Sequence, residues 1–284
     1  MEIGIGLPIT IPGVEARQVL DWGRRAEDAG FSTLGTLDRV VYPNYEPLVS
    51  LGAVAAVTGR IRLTTAILIA PYRVNAALLA KQAATVQALS GGRLELGVAV
   101  GAREDDYEAS AVPLEGRGTR LEQMVDEMKR IWAGEEKGFA GGIGPEVEPP
   151  GLLIGGQVDA AFRRAARYAD GWIMGGGAPD QFASGREKLL AAWSEAGRDG
   201  TPKSASLAYY GLGDQPEEDA RRNIGHYYAW LGEYAEGVVG SVATSEEMVK
   251  GYAQAFEAAG CDELIFFPSS ADPEQVDQLA DVVR

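Results

Sequence analysis

The sequence predicts an α/β fold, a (β/α)8 TIM barrel formed by one domain over residues 1–284, on three observations. Eight short apolar segments run through the chain, and each is followed by a segment with helical periodicity. No linker or shift in composition divides the chain. Its length of 284 residues suits one such barrel, which typically has about 250 residues. Two domains are the alternative by length alone, but a doubly wound sheet would not ordinarily need eight regular units.

The predicted strands are short, apolar and rich in β-branched residues, as is typical of strands buried on both faces of a parallel sheet. They cover residues 3–7, 31–36, 61–69, 94–100, 152–154, 172–174, 205–212 and 263–267. The pattern is clearest in residues 61–101, where a strand, a helix and a second strand follow one another without insertion. This compact unit predicts a parallel pair with a right-handed crossover.

The predicted helices alternate with these strands and end at glycine in several places, notably at Gly91 and Gly92, which accept left-handed dihedral angles. They cover residues 14–29, 46–58, 75–89, 118–132, 158–169, 179–196, 217–234, 245–259 and 273–283. Residues 134–151 combine glycines, prolines and acidic residues, so we expect a surface loop there.

Composition argues against several classes of function. The net charge is −15, and no run is rich in lysine or arginine, which disfavours binding to nucleic acid or to an anionic membrane. No apolar run reaches the ~18 residues of a membrane span, and the N-terminus lacks the pattern of a signal peptide. The single cysteine, Cys261, favours a reducing cytoplasm and a place in the core. With His226 as the only histidine, we expect no metal site.

The site of such a barrel lies at the C-terminal ends of its strands. Gly155-Gly156 and Gly175 to Gly177 both precede predicted helices, where free N–H groups favour an anion such as phosphate. The alternative is that these glycines only turn the chain from strand to helix. Ordinary catalytic groups are scarce, because His226 lies in a helical stretch and no Ser–His–Asp set is evident. This scarcity favours a cofactor that carries the reactivity.

The sequence resembles the luciferase-like monooxygenase superfamily over essentially its whole length. The resemblance rests on LLAKQAATVQALSGGRLELGV, RGTRLEQMVDEMKRIW and RRAARYADGW. It implies a (β/α)8 barrel that binds FMN or the deazaflavin coenzyme F420 at the strand C-termini. It also implies a cis non-prolyl peptide at Ala66–Ile67, or one residue later, against the flavin ring. The implied cofactor contacts are Ala66, Ile67, Gly101, Ala102 and Asp105 near the ring, and Gly155, Gly156, Gln157, Gly175, Gly176 and Gly177 around the phosphate.

One position departs from the family pattern. Many members have Asp-His after the second strand, whereas this chain has Asp38-Arg39. Arg39 can stabilise negative charge on a reduced flavin, but it cannot shuttle protons at neutral pH because it stays charged. Protonation would then come from solvent, Tyr72 or Asp38. Segment 134–151 is shorter than the substrate-covering segment of many relatives, which predicts an open site or one completed by a second subunit in a homodimer.

The leading functional hypothesis is therefore hydride transfer between F420 and a small organic substrate. An FMN-dependent monooxygenase that uses oxygen is the close alternative. A flavin-binding barrel without catalysis, and a phosphate-using lyase or isomerase, are further alternatives. Tyrosines expected near the mouth suggest a largely apolar substrate; they are Tyr42, Tyr45, Tyr72 and Tyr209.

Overall fold

The computed structural model, which describes all residues 1–284, contains a closed parallel barrel surrounded by helices, so the predicted fold class is confirmed. The strands are β1 Glu2–Gly6, β2 Thr33–Thr36, β3 Arg62–Thr65, β4 Leu68–Ile69, β5 Leu94–Ala99, β6 Lys137–Gly138, β7 Gly141–Gly142, β8 Gly151–Gly155, β9 Gly171–Met174, β10 Lys203–Tyr210 and β11 Glu263–Pro268. The barrel order is β3-β2-β1-β11-β10-β9-β8-β5, and pairing of β3 with β5 closes it.

The third predicted strand, residues 61–69, is not continuous. It is divided into β3 and β4 by Ala66 and Ile67, and the peptide bond between these two residues is cis, as the family resemblance implied. Only the short β4 resumes pairing with β5, through Leu68 with Val98 and Ile69 with Ala99. An apolar β-branched run therefore predicted the strand correctly but could not reveal the interruption.

The helices occupy the outside of the barrel. They are α1 Ala16–Asp28, α2 Pro47–Ala55, α3 Ala76–Ser90, α4 Glu104–Ala109, α5 Arg117–Trp132, α6 Asp159–Tyr168, α7 Pro179–Glu195, α8 Pro216–Asp219, α9 Gly225–Tyr227, α10 Tyr234–Gly240, α11 Glu246–Ala258 and α12 Glu274–Val283. Local sequence explains the ends of α3. The Asn75 side chain accepts the N–H of Leu78, and Gly91 ends the helix at φ 68°. None of the helices has the length and apolar character needed to cross a membrane.

Apolar packing occurs in two layers. The larger lies between the barrel and its helices and includes the fully buried Trp22 and Trp172. The smaller includes Ile173, Leu207 and Phe267 on barrel strands. Cys261 is buried as predicted, and burial raises the pKa of its thiol to about 12, which disfavours the thiolate and any nucleophilic role.

A charged cluster lies at the N-terminal end of the barrel, where sequence reading predicted only strands. The Lys203 ammonium donates to Glu95 at 2.8 Å and to Glu263 at 2.8 Å. Glu263, which is fully buried, also accepts from the Arg62 guanidinium at 2.7 Å and from the Ser32 hydroxyl at 2.6 Å. The cluster thus satisfies a buried carboxylate with donors from three other parts of the barrel.

Two predicted connecting regions differ in detail from the structure. Residues 134–151 form the expected surface segment, with a small hairpin of β6 and β7, and contact α3 through Lys81 and Gln87. Residues 217–234 are not one helix. They form α8, a π-helical turn at Ala220–Ile224, α9 and a 3-10 turn at Ala229–Leu231, with Gly232 at φ 59° ending the series. We call residues 211–245, which connect β10 to α11, the covering segment.

Candidate active site

A cavity of about 350 Å³ opens at the C-terminal end of the barrel, within the range of about 300–1,000 Å³ common for small-molecule sites. It is lined by the ends of the barrel strands and by the covering segment. The lining residues are Leu37, Asp38, Ala66, Ile67, Ile69, Tyr72, Ala99, Val100, Gly101, Ala102, Arg103, Asp106, Tyr107, Gly155, Gly156, Gln157, Gly175, Leu207, Tyr227, Tyr228 and Trp230. Most predicted site residues are therefore brought together. Arg39, Asp105, Gly176 and Gly177 are not in the lining.

Ile67 lies in the cavity wall and explains one of the glycines. A Cβ atom at Gly155 would lie 2.4 Å from Ile67 Cδ1, whereas one at Gly175 would make an ordinary contact of 3.4 Å with the same atom. Gly101 has φ 66°, and a Cβ there would lie 2.7 Å from Ile69 Cγ2. The glycines therefore allow the strand ends to approach the Ala66–Ile67 region closely, in addition to any role toward a ligand.

The two glycine loops are joined to each other. The Gln157 amide donates to the carbonyl of Gly176 at 2.9 Å, and the Trp172 indole donates to the carbonyl of Gly156 at 2.6 Å. Gly156, Gly176 and Gly177 all have positive φ. These loops lead into α6 and α7, whose first-turn N–H groups lack helical acceptors. The arrangement can hold a phosphate by backbone N–H groups.

Asp38 lies in the cavity wall but is already paired. Its side chain is 1% exposed, one carboxylate oxygen accepts the N–H of Ile69 at 2.8 Å, and the other accepts from Arg73 at 2.9 Å. Arg73 also pairs with Glu46 at 3.0 Å. Asp38 therefore fixes the backbone after the Ala66–Ile67 peptide, and its acceptor capacity is largely used by protein donors.

Tyr72 differs from Asp38 in its hydrogen bonding. The residue lines the cavity, and its buried hydroxyl lies close to Asp38 but makes no hydrogen bond of good geometry in the protein. Burial and the charge of Asp38 raise the pKa of Tyr72 well above its ordinary value, so the hydroxyl stays neutral and can donate. An unsatisfied donor beside a glycine cradle fits a bound polar ring system or substrate oxygen.

Arg39, at the position where the family resemblance implied histidine, is held by other protein groups. Its guanidinium lies 2.8 Å from an Asp105 oxygen and 3.8 Å from an Asp106 oxygen, and it donates to the carbonyl of Tyr227 at 3.3 Å. Its side chain is 6% exposed. Asp105 shares this pairing, which explains why neither residue faces the cavity. These contacts favour a role for Arg39 in fixing the covering segment.

Asp106 was not predicted, although it is buried and lines the cavity. One of its oxygens accepts the N–H groups of Val40 at 3.0 Å and Val41 at 2.7 Å. The carboxylate thus ties α4 to the loop after β2. The sequence signal is the acidic run 104–106 directly after the predicted fourth strand, a pattern that more often indicates a solvated surface.

The covering segment completes the cavity. Its ends meet where the N–H of Gly211 donates to the carbonyl of Ala243 at 3.0 Å, and its aromatic residues Tyr227, Tyr228 and Trp230 reach the lining. Part of residues 217–234 therefore lies over the strand ends, a position that their helical periodicity did not predict. The cluster of aromatic residues in an otherwise polar stretch was the available signal.

Of the four tyrosines expected near the mouth, only Tyr72 lines the cavity. The Tyr45 hydroxyl donates to the carbonyl of Val14. Tyr209 lies beneath the covering segment, with its hydroxyl 2.7 Å from that of Tyr228. His226 is an exposed residue, as expected, and its Nδ1 lies 2.9 Å from the Tyr42 hydroxyl outside the lining.

The barrel and its cavity define the class of the protein, an α/β barrel with a small-molecule site at the C-terminal ends of its strands. Residues 1–281 match the family described as luciferase-like monooxygenase, and the chain belongs to this family. Its members include oxidoreductases and monooxygenases, and this chain is an enzyme of that kind.

The chain is also similar to individual proteins, one by sequence and two by structure. An uncharacterized protein of Mycobacterium tuberculosis is 33% identical over 206 residues, which are 62% of this chain and 71% of the relative. An F420-dependent secondary alcohol dehydrogenase, solved with an F420–acetone adduct, has a TM-score of 0.84 at 19% identity over 99% of this chain and 98% of that one. The oxygenating constituent of 3,6-diketocamphane monooxygenase, from a Pseudomonas putida plasmid and solved in complex with FMN, has a TM-score of 0.76 at 18% identity. The match covers 100% of this chain and 96% of that one.

Proposed function

We propose that this enzyme transfers a hydride between coenzyme F420 and a small organic substrate. The observation that carries the proposal is the absence of a free acid–base pair in the cavity. The two carboxylates in the lining, Asp38 and Asp106, already accept hydrogen bonds from protein N–H groups. A reaction in this site therefore needs chemistry from a bound cofactor.

The residues of the cavity fit a deazaflavin in two respects. The glycine loops joined by Gln157 offer a cradle for a phosphate, and the apolar wall around Ala66 and Ile67 offers a surface for a planar ring. When bound, the deazaflavin would supply or accept the hydride. The chain's own part is to orient the reactants, to exclude water by its apolar strand ends, and to donate a hydrogen bond from Tyr72.

Tyr72 is the residue that we assign to the reacting oxygen of the substrate. Its neutral hydroxyl has no competing partner in the protein, so it can donate to a carbonyl oxygen, or accept from an alcohol in the reverse direction. Asp38 holds the adjacent backbone through Ile69. Arg39 acts on the covering segment, and its suggested action on a reduced cofactor stays a prediction.

FMN with molecular oxygen is the second candidate, and similarity to the FMN-bound monooxygenase structure supports it. The F420-dependent alcohol dehydrogenase has the higher TM-score, 0.84 against 0.76, which is why F420 is preferred here.

Anaerobic titration with oxidised and reduced F420 and FMN, followed by absorbance, tests the proposal. We expect micromolar binding of F420 and binding of FMN that is weaker by at least about tenfold, a difference of about 1.4 kcal/mol. Tighter binding of reduced FMN, together with oxygen consumption, would instead establish the monooxygenase. Binding of neither cofactor would overturn the proposal and revive a phosphate-using lyase or isomerase.

A further inference from the structure

Arg103 is the one cationic side chain in the cavity lining, and no carboxylate lies within ion-pairing distance of it. Of the arginines near the cavity that are outside its lining, Arg39 pairs with Asp105 and Arg73 with Asp38, whereas Arg117 donates to the carbonyl of Gly101. Arg103 instead lies over aromatic rings, with its guanidinium carbon 4.5 Å from the centre of Tyr227 and 5.1 Å from that of Trp230. Such cation–π contacts hold the guanidinium plane without neutralising its charge.

Arg103 follows β5, the neighbour of β8 in the barrel, and its aromatic contacts lie in the covering segment and not in the glycine loops. Its aromatic neighbours belong to the covering segment, where Tyr227 also packs 5.0 Å from Tyr42 in the loop after β2. The glycine loops follow β8 and β9 and are joined to each other by Gln157. The charge is therefore placed at the covered mouth of the cavity.

We propose that Arg103 determines substrate specificity by binding a carboxylate, so that the substrate is a small organic acid with an apolar body. The inference rests on the proposed function, because it assigns the substrate class of the same cavity. A planar guanidinium that makes no ion pair in the protein is suited to bidentate pairing with a carboxylate. The apolar wall formed by Leu37, Ile67, Ile69 and Leu207 would accommodate the remainder of the molecule.

The net charge of the chain strengthens the need for such a residue. At −15, the protein as a whole repels anions, and Asp38 and Asp106 add two carboxylates to the cavity itself. A single unpaired guanidinium at the mouth can offset this repulsion locally. Hydrogen bonds between charged partners are stronger than those between neutral groups, so a guanidinium can distinguish an acid from its neutral amide.

The test compares cyclohexanecarboxylate with cyclohexanecarboxamide, two probes of similar shape that differ in charge. Binding is measured by calorimetry at pH 7 for the protein alone and for the protein loaded with whichever cofactor it binds. We expect the carboxylate to bind at least about tenfold more tightly than the amide. Arg103→Gln should bring the two affinities within about twofold, and Arg103→Lys should retain part of the preference.

The control is Arg17→Gln, which makes the same change in net charge at an exposed residue distant from the cavity. It should keep the full preference for the carboxylate. Equal binding of both probes by the unaltered protein would overturn the proposal, as would an Arg103→Gln variant that retains the preference or that loses cofactor affinity alone. An Arg103-dependent preference in a protein that binds neither F420 nor FMN would support the carboxylate site and refute the proposed function.

Discussion

Asp38 and Arg73 form an ion pair of 2.9 Å at the wall of the cavity, next to the backbone that follows the Ala66–Ile67 peptide. Asp38 accepts the N–H of Ile69 as well, while Arg73 has a second carboxylate partner in Glu46. This pairing shows what the aspartate does in a chain that lacks the expected neighbouring histidine. It is a structural anchor for one wall of the site.

Replacing Asp38 should therefore lower folding stability as its primary effect, and any change in the reaction should follow from the altered cavity wall. Removing one partner of a buried pair typically costs about 3–5 kcal/mol. For Asp38→Ala we expect the low end of that range, because Arg73 keeps Glu46. Asp38→Asn retains an acceptor for the N–H of Ile69 and should cost less. Urea unfolding of both variants measures the difference, and equal stability of Asp38→Ala and the unaltered protein would contradict the assigned role.

The unsatisfied hydroxyl of Tyr72 leads to a prediction about turnover. In Tyr72→Phe the ring packing is kept and the donor is lost, so kcat should fall by roughly 10²-fold, as is typical when one donor to a reacting oxygen is removed. Cofactor affinity and folding stability should change little, since no protein group depends on this hydroxyl. Steady-state kinetics with direct cofactor titration would make the measurement.

The matched control is Tyr45→Phe, which removes a hydroxyl that donates to the carbonyl of Val14 and lies outside the cavity lining. This change should leave kcat unaltered and lower stability by about 1 kcal/mol, the usual net value of one hydrogen bond. Similar rates for Tyr72→Phe and the unaltered enzyme would remove Tyr72 from the mechanism and leave solvent as the proton source.

The pattern of these contacts explains why sequence reading succeeded for the fold. Strand and helix periodicity is a local signal in the sequence. Eight repeats of it predict a barrel, which the structure has, and place the site at the C-terminal ends of the strands. Asp38, Gly101 and Gly155 were found for that reason, since each follows a strand. The interruption between β3 and β4 was suggested by the family resemblance, because no periodicity reveals a local break in pairing.

The remainder of the site depends on contacts between residues far apart in the chain. Arg39 faces Asp105, 66 positions away, and Arg103 lies on rings of the covering segment. Side-chain direction at such positions is set by the partner, which local pattern does not specify. The position of the covering segment over the cavity was not predicted, because helical spacing in residues 217–234 does not indicate where short, broken helical turns will pack.

Because Ile67 packs closely against Gly155, a larger residue at position 155 should disturb the cavity wall. In Gly155→Ala the new methyl group would meet Ile67 Cδ1 at 2.4 Å and Ala99 Cβ at 3.1 Å, so the Ile67 side chain must move. We expect cofactor affinity to fall by about tenfold and stability by about 1–3 kcal/mol, the usual cost of overpacking. Titration of the variant with its cofactor, beside urea unfolding, separates the two effects.

The control for this substitution is Gly251→Ala on the exposed face of α11, where an added Cβ would meet nothing within 4 Å. Alanine in a helix interior is favoured over glycine by about 0.5–1 kcal/mol, so this variant should be slightly more stable and bind the cofactor normally. Unchanged cofactor binding by Gly155→Ala would show that the wall around Ile67 does not contact the ring.

The charged cluster at the other end of the barrel predicts how stability depends on pH. Burial would raise the pKa of Glu263, but Lys203, Ser32 and Arg62 outweigh it and lower that pKa to about 2 from its ordinary value of 4.5. The unfolded chain therefore binds the proton more readily than the folded one between these two values. The stabilisation is present above pH 4.5 and is lost as the pH falls toward 2.

A shift of this size corresponds to about 3 kcal/mol. Glu95, whose pKa is raised by burial against the opposing effect of Lys203, offsets part of the loss in acid, so the change is best measured as a difference between variants. The free energy of unfolding of the unaltered protein minus that of Glu263→Gln should be about 3 kcal/mol or more at pH 6 and should shrink steadily below pH 4.5. Urea unfolding at a series of pH values measures it. A difference that stays constant down to pH 2.5 would show that Glu263 is not the titrating group.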